Sequence, residues 1–476
     1  GVAVVGVYSS LQYCVGVATP STYRRTCYAG DWTGRAMIFG LADKAESLNI
    51  PIHEHQYVTR LLVDNEKCFG ALAFNINTGE RTVYLADAVV LAAGGHTRLW
   101  RRSSSRRDEN TGDGMYLGLE AGVELGDMEL VQFHPTGMVA PESIAGTLVT
   151  EAVRGEGGHL LNANGERFMA RYDPERMELS TRDRIALANY TEIQAGRGGP
   201  NGGVFLDISH RTKELIIEKL PRMYRQFLEH QLLDMSKEPM EVAPTAHYSM
   251  GGVIVDPDTH ATSVAGLYAA GEITSGVHGA NRLGGNSLVE TVVYGRISGT
   301  EAAQFSLGIS AQHRNMQVIQ AAHDDLDSMI KHGREMARPL QRQLRNVMWQ
   351  YGGVIRSEDG LLKGLEELKQ ISEASKYVDV RPSSEGYHDL ALALDLRSSL
   401  ISAEATLRSA VERRESRGAH QRSDYPDIDD SLKKNFINYL EDGELKVKSA
   451  AIPPIDEALL PYLKGEELEV AGRLLE

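Results

Sequence analysis

Gly266-Leu267-Tyr268-Ala269-Ala270-Gly271-Glu272 is the stretch on which the fold turns. A short apolar run closes on a glycine and then an acid, the pattern of a buried parallel strand ending in a tight turn. Two other runs end alike: Val2 to Val5 closes on Gly6, and Ala86 to Ala93 enters Gly94-Gly95. Three such strands predict an open α/β sheet with a ligand at its carboxyl edge. Glu272 there can accept from a ribose hydroxyl, and Asp113, in Asn110-Thr111-Gly112-Asp113-Gly114, offers a second carboxylate. Either acid reads equally as a turn residue.

Downstream lies Ala280-Asn281-Arg282-Leu283-Gly284-Gly285-Asn286-Ser287-Leu288-Val289-Glu290. It sets Arg282 on a glycine-lined turn just before a helix start at Asn286 and Ser287. A guanidinium there can grip a carboxylate through two parallel hydrogen bonds. The N–H groups at the helix head can receive a second anionic group. The plain alternative is an N-cap beside a solvated arginine.

Upstream, Gly70 to Asn75, a turn at Thr78-Gly79 and Arg81 to Leu85 read as a hairpin. From Glu129 to Tyr248 the sequence becomes mixed and loop-rich, as in a second domain inserted between two halves of the first. The expected division is 1–128 with 249–308, then 129–248, then 309–476. The last part is mostly helical in period: Leu361, Leu362, Leu365, Leu368 and Ile371 make one apolar face, and Leu400, Leu407 and Val411 another.

Composition bounds the function. A chain of 476 residues holds two or three domains. A net charge of −15 argues against a nucleic-acid surface. Cys14, Cys27 and Cys68 form no CxxC pair, which argues against a disulfide framework and a cysteine-held iron–sulfur cluster in this chain, and no metal site is expected. No apolar run reaches the length of a membrane span.

Four further segments carry chemistry. In Gln132-Phe133-His134-Pro135-Thr136-Gly137 the proline favours extended backbone, with His134 either a plain core residue or a donor. In Thr150-Glu151-Ala152-Val153-Arg154 the acid and base stand at helical i, i+3 spacing, either a surface ion pair or a relay into a pocket. In Ser180-Thr181-Arg182-Asp183-Arg184 the aspartate can orient either arginine, or the segment is a capped helix start. In Pro244-Thr245-Ala246-His247-Tyr248-Ser249 the histidine is either buried and hydrogen-bonded or lines a cleft. With Arg282 and the strand end at Glu272, these groups suit a small dicarboxylate better than a sugar or a phosphate.

The runs HPTG at 134–137, TEAVRGEGG at 150–158, TAHYSMGG at 245–252, GEITSGVHGANRLGGNSL at 271–288 and ESRGAHQRSDYPD at 415–427 resemble, in order, the flavoprotein subunit of succinate dehydrogenase and fumarate reductase. The resemblance implies an α/β FAD-binding (Rossmann-like) domain, an inserted α+β capping domain and a C-terminal helical domain. It implies oxidation of succinate to fumarate by hydride transfer to FAD, with electrons passed to an iron–sulfur subunit, then quinone. His134, Thr150, His247 and Arg282 match positions holding the substrate carboxylates. Arg182 matches the proton-transferring arginine, with Glu151 and Arg154 as its relay to solvent. Asp113, Glu272, Ser287 and Leu288 match positions contacting FAD; Asn286, Gly94 and Gly95 are assigned to the same cofactor.

Membrane anchor subunits are implied as further partners, with a peripheral place on the cytoplasmic face of a bacterial inner membrane or the matrix side of the mitochondrial one. The chain departs from the family at its start. Val7-Tyr8-Ser9-Ser10 stands where a GxGxxG turn is expected, and the first histidine is His53. Covalent flavin attachment is therefore not supported, and either an internal segment is missing or the chain is a shortened relative. Fumarate reductase and L-aspartate oxidase are the enzyme alternatives. A flavin-free, catalytically silent interaction protein is the alternative of another class.

Overall fold

The computed structural model describes residues 14–16, 26–28, 33–106, 108–383, 385–453, 458 and 461. The expected strand at Val2 to Val5 and the stretch Val7-Tyr8-Ser9-Ser10 lie outside them. The other two glycine-terminated strands are present as Val89–Leu91 and Leu267–Ala269, paired in parallel with Leu267 opposite Val89. Gly271 then takes φ +84°, a left-handed turn that only glycine adopts without strain. The helix Asp113–Glu120 lies directly on this strand end: a Cβ added at Gly114 would stand 2.8 Å from Ala93 Cβ.

The expected hairpin is the pair Lys67–Asn75 and Arg81–Leu85. A strand that sequence reading did not anticipate, Gln56–Asp64, pairs with its other edge to make a three-stranded antiparallel sheet. Between these parts stands a four-stranded antiparallel sheet ordered Val131–Met138, Met240–Ser249, Val204–Asp207, His159–Leu161. Pro135, which has no N–H to give a ladder, sits in the edge strand of that sheet, where such a residue is tolerated. Asn189 Nδ2, from the helix Arg182–Glu192, donates to its carbonyl at 2.9 Å. One apolar cluster, including Met138, Val153, Phe168, Ile185, Leu206, Phe227 and Val242, draws every buried member from residues 138–242.

The C-terminal part packs the helices Ala337–Tyr351, Glu358–Ser375 and His388–Glu412 together. Its apolar cluster reaches into the rest of the molecule through Phe74, Trp100 and Phe133. Two expectations need correction. Leu362 is 49% exposed and does not belong to the buried face, which runs through Leu361, Gly364, Leu368 and Ile371. The part is not helical throughout, because Lys434–Glu441 and Glu444–Ala451 form a hairpin whose inner strand pairs with Leu125–Gly126.

Arg413 pins the end of the long helix to the strand region. Its guanidinium meets Glu129 (2.5 Å), Glu415 (3.1 Å) and Asp127 (3.1 Å), all four side chains being buried. Next to it, the turn at Gly418 takes φ +56°, and a Cβ there would strike the Ala280 carbonyl. Ala419 N–H donates to that carbonyl at 2.9 Å. The C-terminal motif thus buttresses the turn that carries Arg282.

Candidate active site

The two histidines owe their meeting to an irregular ladder. His134 stands opposite Thr245, Phe133 opposite Ala246 and Gln132 opposite Tyr248, so His247 is the extra, bulged residue of its strand. A bulge re-aims a side chain. The His247 ring lies 5.3 Å from the His134 ring at 70°. Gln132 and His134, two apart on an extended strand, share one face.

The His134 proton is placed by its neighbours. Thr136 N–H donates to Nδ1 at 3.2 Å. A backbone N–H can only donate, so Nδ1 is the acceptor and the ring proton sits on Nε2. Burial, reinforced by Arg182, His247 and Arg154, holds the pKa well below the usual histidine value, and the ring is neutral. Its Nε2 is buried without a partner, a donor waiting for an acceptor.

His247 Nδ1 lies 2.9 Å from Ser104 Oγ. Burial and then Arg282 and Arg182 keep this ring neutral as well. For its Nε2 to donate, the Ser104 hydroxyl must donate to Nδ1. Ser104→Ala is therefore expected to weaken binding of malonate, a three-carbon diacid, about fivefold, with Ser104→Thr close to wild type. Isothermal titration would read both, and an unchanged affinity for the alanine variant would dismiss the tautomer argument.

The cations are joined through one amide. Gln132 Oε1 accepts from Arg282 Nη2 at 3.0 Å and from Arg182 Nη1 at 3.4 Å. Its orientation is fixed, because Nε2 donates to Asn281 Oδ1 and to the Arg282 carbonyl, each at 2.7 Å. Arg282 Nη1 donates to Ser287 Oγ at 3.0 Å, while its Nε is buried and unpartnered. Burial and the nearby Arg182 lower the Arg282 pKa to about 10.

Arg182 Nε donates to Glu151 Oε2 at 2.8 Å, and Arg154 Nη2 lies 3.9 Å from the same oxygen. Arg154 is fully buried, which lowers its pKa to about 10, and its Nη1 donates to the Glu178 carbonyl at 2.6 Å. The Glu151–Arg154 pair is thus no surface ion pair. It forms the inner end of a chain that reaches Arg182. Thr150 precedes Glu151, its Oγ1 accepting from Ala152 N at 3.4 Å. Asp183 orients neither arginine: its Oδ1 accepts from Asn281 Nδ2 at 2.8 Å.

Asn286, Ser287 and Leu288 open the helix Asn286–Gly308, after Gly285 at φ +85°. Gly94 and Gly95 form a close approach, where a Cβ at Gly95 would stand 2.6 Å from Glu272 Oε1. Glu272 accepts from Ser249 N at 3.1 Å, and burial raises its pKa to about 7. Asp113 opens the helix that packs on this strand end; its carboxylate accepts from Thr111 Oγ1 at 3.3 Å and lines a small cavity with Tyr57, Tyr116 and Arg397.

Gln132, Ser104 and Asn281 were given no role by the sequence reading. The alternation of an extended strand was enough to find Gln132, two residues from His134. Nothing local marks Ser104, which comes from a separate loop. A cavity of about 120 Å³ lined by Arg101, Arg102, Tyr190, Gln194 and Trp349 lies apart from this cluster and contains none of its side chains.

Comparison with known proteins gives the following. Residues 12–288 match the family model described as FAD binding domain, and residues 341–455 the one described as fumarate reductase flavoprotein C-term. The chain is 44% identical to one subunit of the fumarate reductase (CoM/CoB) of Methanothermobacter marburgensis, over 87% of this chain and 75% of that one. It is 37% identical to the succinate dehydrogenase flavoprotein subunit of Rickettsia bellii, over 86% and 70%. A solved E. coli quinol fumarate reductase structure superimposes with a TM-score of 0.86 at 34% identity, covering 93% of this chain and 80% of that one.

Proposed function

The chain belongs to the flavoprotein family of succinate dehydrogenases and fumarate reductases, and from that premise we propose that it interconverts succinate and fumarate. Its fold is that family's, an FAD-binding α/β part with a C-terminal helical part, and its cofactor is FAD.

The described residues fit the ring end of that cofactor. The first N–H groups of the Asn286–Gly308 helix have no carbonyl of their own helix to meet. Around them Leu283, Val289 and Val293 expose apolar surface that a flat ring would cover. Asn286, Ser287, Leu288, Glu272 and the Gly94-Gly95 approach would hold it. Bound FAD supplies the acceptor, or donor, of a hydride.

The chain's own groups do the rest. The guanidiniums of Arg182 and Arg282, beside the neutral rings of His134 and His247, suit the carboxylates of a dicarboxylate. His134 Nε2–H, the His247 ring, Thr150 and Arg282 grip the two carboxylates, and gripping both ends fixes the twist of the carbon chain between them. Arg182 takes or gives the proton on the carbon next to the reacting one and exchanges it with Glu151. Glu151, which accepts from Arg182 Nε at 2.8 Å, is placed to receive that proton.

The carrying observation is that Arg182 and Arg282 share one amide oxygen beside an unpartnered His134 Nε2. As partners we infer an iron–sulfur subunit that takes the electrons and a membrane anchor, with the chain peripheral to an inner membrane. Among the described residues no helix is long and apolar enough to cross one. The test is flavin absorbance in purified protein together with dye reduction by succinate, and hydrogen peroxide release from aspartate in parallel. Succinate-dependent reduction without peroxide is the expected result. A colourless protein, or peroxide from aspartate alone, overturns the reading.

A further inference from the structure

The first turns of the Asn286–Gly308 helix carry an acid that the site above leaves unexplained. Glu290 stands three residues after Ser287, on the same helix face. It is buried, and donors surround it: Oε2 accepts from the Tyr248 hydroxyl and lies 2.8 Å from His278 Nε2, while Thr274 Oγ1 donates to Oε1 at 3.5 Å. The His278 ring meets Tyr248 edge-on, 5.2 Å away at 75°. Burial and then the Glu290 charge keep the Tyr248 hydroxyl protonated, so it is the donor of its bond to Glu290.

The other side of Tyr248 faces the substrate arginine. The Arg282 guanidinium carbon lies 4.4 Å from the Tyr248 ring centroid. A cation at that distance is attracted to the ring face, the more so when a carboxylate draws on the ring's hydroxyl and enriches its electrons. Ser287 and Gln132 hold two edges of the guanidinium, and the ring supports its plane.

We propose that Glu290, Tyr248 and His278 are positioning residues that set the height and tilt of the Arg282 guanidinium for a substrate carboxylate. The inference rests on the dicarboxylate reading above. Glu290 does not touch substrate; it acts through Tyr248, whose ring it holds in one plane. His278 fixes the carboxylate that receives the hydroxyl.

The test is calorimetric titration of the holoenzyme with malonate, alongside the unfolding midpoint of each variant. Tyr248→Phe keeps the ring and loses the hydroxyl; Glu290→Gln keeps the shape and loses the charge. Each is expected to weaken malonate binding about fivefold, and Tyr248→Leu, which removes the ring, more than either. Because both single variants act through one ring, the double variant should bind no more weakly than the weaker single.

Unchanged malonate affinity in Tyr248→Phe overturns the proposal, as do losses that simply add in the double variant. A lowered midpoint with wild-type affinity also overturns it, leaving the three residues only a structural role. Should Glu290→Gln fail to fold, Tyr248→Phe decides alone. Wild-type protein that does not bind malonate refutes the dicarboxylate reading itself, a result distinct from every failure of the stack.

Discussion

Replacing Arg182 by lysine should cut turnover about 10³-fold while leaving malonate affinity within a few-fold of wild type. Lysine keeps the positive charge that steadies a dianion. It loses the fork, and the fork is what spans the site: Nε reaches Glu151 at 2.8 Å while Nη1 reaches Gln132 Oε1 at 3.4 Å. A single ammonium cannot face the substrate carbon, the relay carboxylate and the shared amide together. Stopped-flow reduction of the bound flavin by succinate would read the loss directly. Near wild-type turnover in Arg182→Lys would strip Arg182 of its proton-transfer role and leave it a charge that binds.

The second large effect is on stability. Arg413→Met should destabilise the fold by about 3–5 kcal/mol, because it leaves Asp127 and Glu129 without their cation beside Glu415, which keeps Arg417 at 2.8 Å. Glu129 and Glu415 are fully buried, so water cannot replace the guanidinium. Asp127 is already pushed up to about 7 by burial and by Glu129, and losing Arg413 drives it further the same way. A loss of that size is a large share of the stability of an ordinary domain. Urea unfolding at neutral pH would measure it, and a shift under about 1 kcal/mol would show that the carboxylates find other partners.

These effects bear on what the sequence disclosed. The parallel strands at Ala86 to Ala93 and Gly266 to Ala270 were legible because glycine ends each, and a left-handed turn at Gly271 leaves few other residues to choose from. The helix start at Asn286 was legible for the same reason. Leu362 misled because helical spacing cannot tell the centre of an apolar stripe from its edge. The hairpin 434–451 was missed because its strands mix charges with apolar residues on a solvated surface.

At the site, His134, His247, Arg182 and Arg282 were found through motifs, but their mutual placement was not. That placement depends on a bulge at His247 and on an amide, Gln132, whose importance lies in two long-range bonds. The role of the ESRGAH run was likewise hidden: Glu415 holds its near neighbour Arg413, whose other partners Asp127 and Glu129 are distant in sequence, and Ala419 holds Ala280.

That last contact has a consequence for biosynthesis. A nascent chain that has emerged only as far as the long helix already carries every side chain that would touch a diacid. It still lacks the Ala419 N–H that anchors the Ala280 carbonyl, and the Gly418 turn against which the Arg282 loop closes. Closure of the Arg282 loop therefore waits until the loop at 415–427 has left the ribosome and folded back, later than the side chains it supports.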